Sequence, residues 1–245
     1  MSLKAVLFDL DGTLLPMDMD KFIKTYFGGL AKRMAPFGYR PDELVNAIWA
    51  GTAAMVKNRG EKTNEAVFWD KFAEIFGEGA RGHEPEFARF YEEDFDSIRA
   101  VCGFDESARS VIDRLRETPL KLALATSPIF PAAATERRIR WAGLEPELFD
   151  CVTTYENSRR AKPNPDYYRD VAAALGVKPE ECLMVGNDVS EDMAASEVGM
   201  RVFLVPKCLI NKENKDISAY PSGDLLTLLG YILNIMKEDD KANGK

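Results

Sequence analysis

Two aspartates close the first apolar run of this chain: Ala5–Phe8 leads into Asp9, Leu10, Asp11, Gly12 and Thr13. Charge at the end of a strand that reads as buried is costly unless an opposite charge sits beside it. Three later segments carry groups of the same kind. Thr126 and Ser127 follow the apolar run Leu120–Ala125, Lys162 heads "KPNPDYY", and "MVGNDVSEDM" holds Asn187, Asp188 and, four residues on, Asp192. Each has an ordinary reading by itself. Asp-Gly is a hairpin turn signal, Thr126 and Ser127 could cap a helix, Lys162 could be solvated, and Asp188 with Asp192 could charge a helix N-terminus. A calcium loop starting at Asp9 would need glycine at its sixth position, where Leu14 stands. Taken together, three or four carboxylates converging on one point require a cation, and hard oxygen donors suit Mg²⁺. A lysine, a threonine hydroxyl and turn N–H groups opposite that ion would bind the remaining oxygens of a phosphoryl group. The chemistry is phosphoryl transfer with an aspartate as nucleophile.

The elements that must position these residues are apolar runs at Ala5–Phe8, Leu120–Ala125, Phe149–Thr153, Cys182–Val185 and Val202–Val205. Helical patterns separate them: "DESARSVIDRLRET", "PDYYRDVAAALGV" ending at Gly176, and "SEDMAASEVGM" ending at Gly199. Strands apolar on both faces that alternate with helices predict an α/β fold, a doubly wound parallel sheet. In such a sheet ligands bind beyond the C-terminal ends of the strands, where all the residues above fall. From Met17 to Glu93 the alternation stops, and four amphipathic patterns follow one another: "MDKFIKTYFGGLAKRM", "PDELVNAIWAGTAAMVKN", "TNEAVFWDKFAEIFG" and "PEFARFYEEDF". This reads as an inserted α-helical cap, 17–93, within a core formed by 1–16 and 94–245. Its aromatics Phe22, Tyr26, Trp49, Phe68, Trp69 and Phe72 are expected to form the cap's own core.

Composition narrows the classes. With 46% hydrophobic residues in 245, the chain can bury a core, and only the polar tail "KEDDKANGK" is expected to lack structure. A net charge of −8 argues against a nucleic-acid or anionic-membrane partner. Cys102, Cys151, Cys182 and Cys208 form no C-x-x-C pair; three of them, in apolar or strand-like contexts, read as buried free thiols, and the setting reads as reducing and cytoplasmic. No leader and no membrane-length apolar run is read. The single histidine, His83, lies in a Gly-rich stretch read as a solvated loop, so acid–base work falls to carboxylates, lysine or tyrosine. No "GxxxxGK[ST]" supports an ATP-consuming P-loop. A two-component receiver domain would be about half as long and would not carry its acceptor on the first strand.

"DLDGT", "LALATS", "AKPNPDYY" and "VGNDVSED" resemble, in order and spacing, the four motifs of the haloacid dehalogenase superfamily, and the resemblance covers the whole chain with its cap after the first motif. It implies that Asp9 is the nucleophile forming an aspartyl-phosphate. Asp11 would protonate the leaving oxygen and then deprotonate the resolving water. Thr126, Ser127 and Lys162 would bind the phosphoryl group. Asp9, the Asp11 carbonyl and Asp188 would hold Mg²⁺, with Asp192 behind them. The fourth motif usually reads Gly-Asp, whereas Asn187 intervenes here. Counting from Gly186 makes Asn187 the ligand; counting back from Asp192 makes it Asp188, preferred because an anionic ligand holds Mg²⁺ better, with Asn187 as an additional contact. In the family's dehalogenases the Asp11 position resembles tyrosine, in its phosphonate hydrolases alanine and in its cation pumps threonine, so aspartate implies phosphate-ester chemistry.

The expectation is a Mg²⁺-dependent phosphatase acting on a small phosphorylated metabolite. The alternatives are a sugar-phosphate mutase of the same family and a non-catalytic phosphate- or protein-binding module on this fold. The cap would close over the site and set specificity, with Lys21, Arg33, Lys57 and Arg59 as its candidate cationic contacts.

Overall fold

The computed structural model describes residues 2–242. Five parallel strands, β1 (Ala5–Phe8), β2 (Lys121–Leu124), β3 (Cys151–Val152), β4 (Cys182–Gly186) and β5 (Arg201–Leu204), lie in the order β3-β2-β1-β4-β5. β1 is central, with Phe8 opposite Leu124 on one side and Val185 on the other. Alternate residues feed two cores. Val6, Phe8, Leu122, Leu124 and Val185 join the larger one, while Ala5, Leu7, Ala123 and Met184 join the one under the opposite face. Both faces are thereby covered, which is why these strands read as unbroken apolar runs. The chain winds outward from β1 to β2 and β3, then returns to the other side of β1 for β4 and β5. That reversal opens a crevice at the C-terminal ends of β1 and β4.

Helices α1 (Met19–Met34), α2 (Pro41–Val56), α3 (Asn64–Phe76) and α4 (Glu84–Arg89) follow β1. Local signals set their starts. Asp18 accepts from the Lys21 amide, Thr63 accepts from the Ala66 amide, and Pro41 opens α2 at a position where its missing N–H costs nothing. The last expected helix of this region is only six residues of α-helix; it passes into a π turn over Phe90–Asp94 and a 3₁₀ run over Phe95–Val101. The sheet is flanked by α5 (Glu106–Arg116), α6 (Ala132–Trp141), α7 (Pro165–Ala174) and α8 (Leu225–Ala242). No helix among the described residues is long and apolar enough to cross a membrane.

Several expectations are corrected. The third strand shrinks to two residues because it is an edge strand paired only with β2. "SEDMAASEVGM" forms a short 3₁₀ helix, Met193–Val198, closed by Gly199 in the left-handed region. Thr126 and Ser127 cap nothing, since α6 begins at Ala132. The tail expected to lack structure is helical through Ala242; residues 243–245 lie outside the described ones. Leu225, Leu228 and Ile232 are buried, and Asp239 accepts a 2.7 Å hydrogen bond from the Leu3 amide. Apolar spacing upstream therefore carries the polar end along. Of the cysteines, all free, only Cys182 is fully buried. His83 is half-buried, with its Nδ1 2.8 Å from the Tyr39 hydroxyl.

Gly51 on α2 faces Phe68 on α3, and a Cβ there would lie 2.5 Å from the ring. Gly51→Ala would gain about 1 kcal/mol in helix propensity. Overpacking against a buried ring costs about 1–3 kcal/mol. The expected result is a net loss of about 1 kcal/mol, read as a lower urea midpoint with an unchanged m-value.

Candidate active site

β1 delivers Asp9 to the crevice, its amide bonded to the Val185 carbonyl at 2.8 Å. The chain then turns sharply, with the Gly12 amide on the Leu15 carbonyl and Leu15 on Leu10. Gly12 sits at φ +92°, and a Cβ there would lie 2.4 Å from the Asn187 amide nitrogen, so both conformation and space demand glycine. The turn brings Asp11 and Thr13 back beside Asp9.

Lys162 joins three chain segments. It is 1% exposed, and its ammonium donates to Asp9 Oδ1 at 2.8 Å and to Asp192 Oδ1 at 2.6 Å. Burial pulls the ammonium down, but Asp192 and Asp9 together outweigh it and hold Lys162 well above its ordinary range. One of its three N–H donors is left over. Asp192 Oδ2 accepts the Asp188 amide at 2.9 Å, fixing the loop after β4. Lys162 does not open a helix as expected; α7 starts at Pro165, capped by Asn164.

Asn187 and Asp188 play different parts. Asn187 is 1% exposed and both ends of its amide are engaged: Oδ1 accepts from the Thr13 hydroxyl at 2.9 Å and Nδ2 donates to the Cys208 carbonyl at 2.7 Å. Asp188 uses only Oδ1, which accepts the amides of Ser190 and Glu191. Its Oδ2 has no protein partner among the described residues, and the residue borders a cavity of about 710 Å³. Asp9, Asp11, Thr126 and Ser127 border the same cavity. The Thr126 carbonyl is tied to Thr153 and Tyr167. No hydrogen bond to its hydroxyl is found among the described residues.

Two residues of the site escaped the sequence reading. Arg138 on α6 is fully buried and ion-pairs with Asp11 Oδ2. Its guanidinium carbon lies 4.4 Å from the Phe130 ring centroid, and it also donates to the Ala134 carbonyl at 3.3 Å. Asp11 Oδ1, also buried, has no hydrogen-bond partner among the described residues. Burial pushes the Asp11 carboxyl up to about 6, opposed by Arg138 and assisted by Asp9. Helical spacing from Ala134 and Trp141 puts Arg138 toward an apolar face, but Arg137 has equivalent spacing, so the sequence does not tell the two apart. The second residue is Asn64, completely buried at the start of α3. Its Nδ2 donates to the carbonyls of Pro128 at 3.0 Å and Arg160 at 3.2 Å. It thus braces the loops that carry Ser127 and Lys162. No sequence pattern marked it.

The oxygens placed to take an ion are Asp9 Oδ2, held only by a long 3.3 Å hydrogen bond from the Thr13 hydroxyl, Asp188 Oδ2, and the Asp11 carbonyl, on which no hydrogen bond ends among the described residues. Among those residues no three Asp, Glu, His or Cys side chains form a cage of their own. Two carboxylates, a carbonyl and hard oxygens throughout fit Mg²⁺, which usually keeps several waters. Opposite these groups, α1 to α4 line the cavity with Phe22, Phe27, Trp49, Phe68 and Phe87. Trp49, expected in a core, is 47% exposed. The four cationic candidates of this region do not border the cavity; Arg33, for one, is paired with Glu93 and Asp94.

This fold, with its carboxylates at the β1 and β4 ends, matches a family model. Residues 3–199 fit the haloacid dehalogenase-like hydrolases, and the chain belongs to that family. Its relatives include pyrophosphatase PpaX of Anoxybacillus flavithermus, 25% identical over 94% of this chain and 98% of that one. Hexitol phosphatase A of Escherichia coli is 29% identical over 84% of each chain. A crystal structure of a HAD phosphatase from Thermococcus onnurineus shares the fold, with a TM-score of 0.58 at 22% identity over 94% of this chain and 98% of that one.

Removing one partner of a buried charge cluster leaves the others uncompensated. Lys162→Met sets Asp9 and Asp192 facing each other without a cation. A stability loss of about 3–5 kcal/mol in urea unfolding at pH 7 is expected.

Proposed function

We propose that this protein is a Mg²⁺-dependent phosphatase that hydrolyses a small phosphorylated metabolite through an aspartyl-phosphate on Asp9. One observation carries the reading. Asp9, neutralised from behind by Lys162, and Asp11 border one cavity together with Thr126, whose hydroxyl has no protein partner among the described residues. The two phosphatase-named relatives support it.

The chain's own residues would act as follows. Lys162 and the hydroxyls of Thr126 and Ser127 bind the phosphoryl oxygens and turn phosphorus toward Asp9. The Asp9 oxygen not held by Lys162 attacks phosphorus, and the bond to the leaving oxygen breaks. Asp11, one oxygen anchored by Arg138, gives its proton to that oxygen from the other. Asp11 then takes a proton from water, whose oxygen attacks the aspartyl-phosphate, releasing inorganic phosphate and restoring Asp9. A divalent ion held by Asp9, Asp188 and the Asp11 carbonyl would neutralise charge between the carboxylates and the phosphoryl group. With Asn187 spent on Thr13 and Cys208, Asp188 is the better ligand. Asp192 holds Lys162 and the Asp188 backbone in place. Residues 17–93 serve as the cap on a core of 1–16 and 94–245; Asn64 fastens the two together. The free thiols support a cytoplasmic setting.

Phosphate release from p-nitrophenyl phosphate should stop with EDTA and return with Mg²⁺. Asp9→Asn should abolish it; an active Asp9→Asn protein would rule out the covalent route. A mutase would instead isomerise a hexose phosphate without releasing phosphate.

Asp11→Asn tests the acid separately. An alkyl phosphate, whose alkoxide needs a proton, should lose about 10²–10⁴-fold in kcat. The p-nitrophenyl ester, whose leaving anion is stable unprotonated, should lose far less.

A further inference from the structure

Beyond the carboxylate floor, the cavity changes character. Phe22, Ile23 and Phe27 from α1, Trp49 from α2 and Phe68 from α3 present apolar surface to it, and Phe130 continues that surface on the core side. The charged residues along these walls are mostly acidic. Glu65, Glu84 and Glu156 lie close enough to one another to raise the Glu65 carboxyl, together with its burial, and Glu92 borders the cavity as well. Glu65 has no hydrogen-bonded or ion-paired partner among the described residues. The one lysine bordering the cavity, Lys212, is exposed and follows Ile210, the bridge partner of Asp188, so it stands at the phosphoryl end.

A second phosphate or carboxylate on the leaving group would therefore meet carboxylates and rings instead of the arginines and lysines such groups require. A polyol could give some hydroxyls to these glutamates, but those lying over the aromatic part of the wall would lose water without replacement. We infer that the substrate is a phosphomonoester whose leaving group is bulky, apolar and not anionic, unlike the substrates in the names of the two relatives. The inference rests on the phosphatase reading for the word substrate, but the binding preference stands without turnover.

The test uses the Mg²⁺-loaded full chain and two series from ethyl to hexyl: n-alkyl phosphates as substrates and n-alkylphosphonates as non-hydrolysable ligands. If each methylene is buried, both kcat/KM and 1/Kd should rise about 3- to 4-fold per CH₂, the equivalent of ~0.8 kcal/mol. An ω-carboxyalkyl phosphate of equal length should fall at least 10-fold below its alkyl counterpart. Trp49→Ala, at a half-exposed position, should flatten both slopes. Flat series overturn the inference, as does tighter binding or faster turnover of pyrophosphate, a hexitol phosphate or the ω-carboxylate. Steep phosphonate binding with no phosphate released from any ester would uphold the inference and sink the phosphatase reading instead.

Discussion

An ammonium with almost no access to water is held between two carboxylates at the centre of this molecule, and the arrangement around it follows from that. Lys162 must be charged to justify Asp9 and Asp192, and they must be ionised to justify Lys162. Because the three groups come from the end of β1, the link before α7 and the loop after β4, satisfying them fixes three backbones at once. The constraint propagates through Asp192 to the Asp188 amide. It also explains Gly186, where a Cβ would fall 2.0 Å from the Asp192 carboxyl. A carboxylate of Asp9 neutralised on one oxygen and held on the other only by a long hydrogen bond from Thr13 is the product of this arrangement.

The cavity above that cluster is built from two kinds of surface with opposite logic. Its floor is polar, and nearly every group is assigned: Asn187 to Thr13 and Cys208, Asp192 to Lys162 and the backbone, Asp11 to Arg138. The few atoms left over point where a phosphoryl group and its ion would stand. Its roof is aromatic and comes from α1 to α4, the helices inserted after β1. Asn64 ties roof to floor by accepting from Asn58 and donating to the carbonyls of Pro128 and Arg160. With the Asn64 and Glu65 backbone amides bonded to the Ser158 and Tyr155 carbonyls, this buried side chain fixes the start of α3 against the loops that would bind phosphate.

Much of this was legible in the chain because it depends on short-range regularities. Ala5–Phe8 and Met19–Met34 match the elements observed, since a two-sided apolar strand and an amphipathic helix are specified by adjacent residues. Asp9, Asp11 and Asp188 could be picked out because charges at the ends of apolar runs are costly and so informative, and Lys162 and Asp192 because they complete the motif pattern with them. Arg138 was hidden among Arg137 and Arg140, and its burial depends on Phe130 and Asp11 reaching it from other segments. The tail misled because its own composition is polar, whereas its helix is held by Leu225, Leu228 and Ile232 upstream.

The sequence by itself determined the alternating α/β plan, the helical insertion and the identity of the acidic residues, because each of these is written in local period, charge and apolar run. Only the tertiary structure decided that Asn187 is spent while Asp188 keeps an oxygen free, that Arg138 anchors Asp11, and that aromatic rings and glutamates border the cavity. Those outcomes depend on which segments meet across the sheet ends and which donors and acceptors they exhaust when they do, and hydrogen-bond partners far apart in the chain leave no period to read.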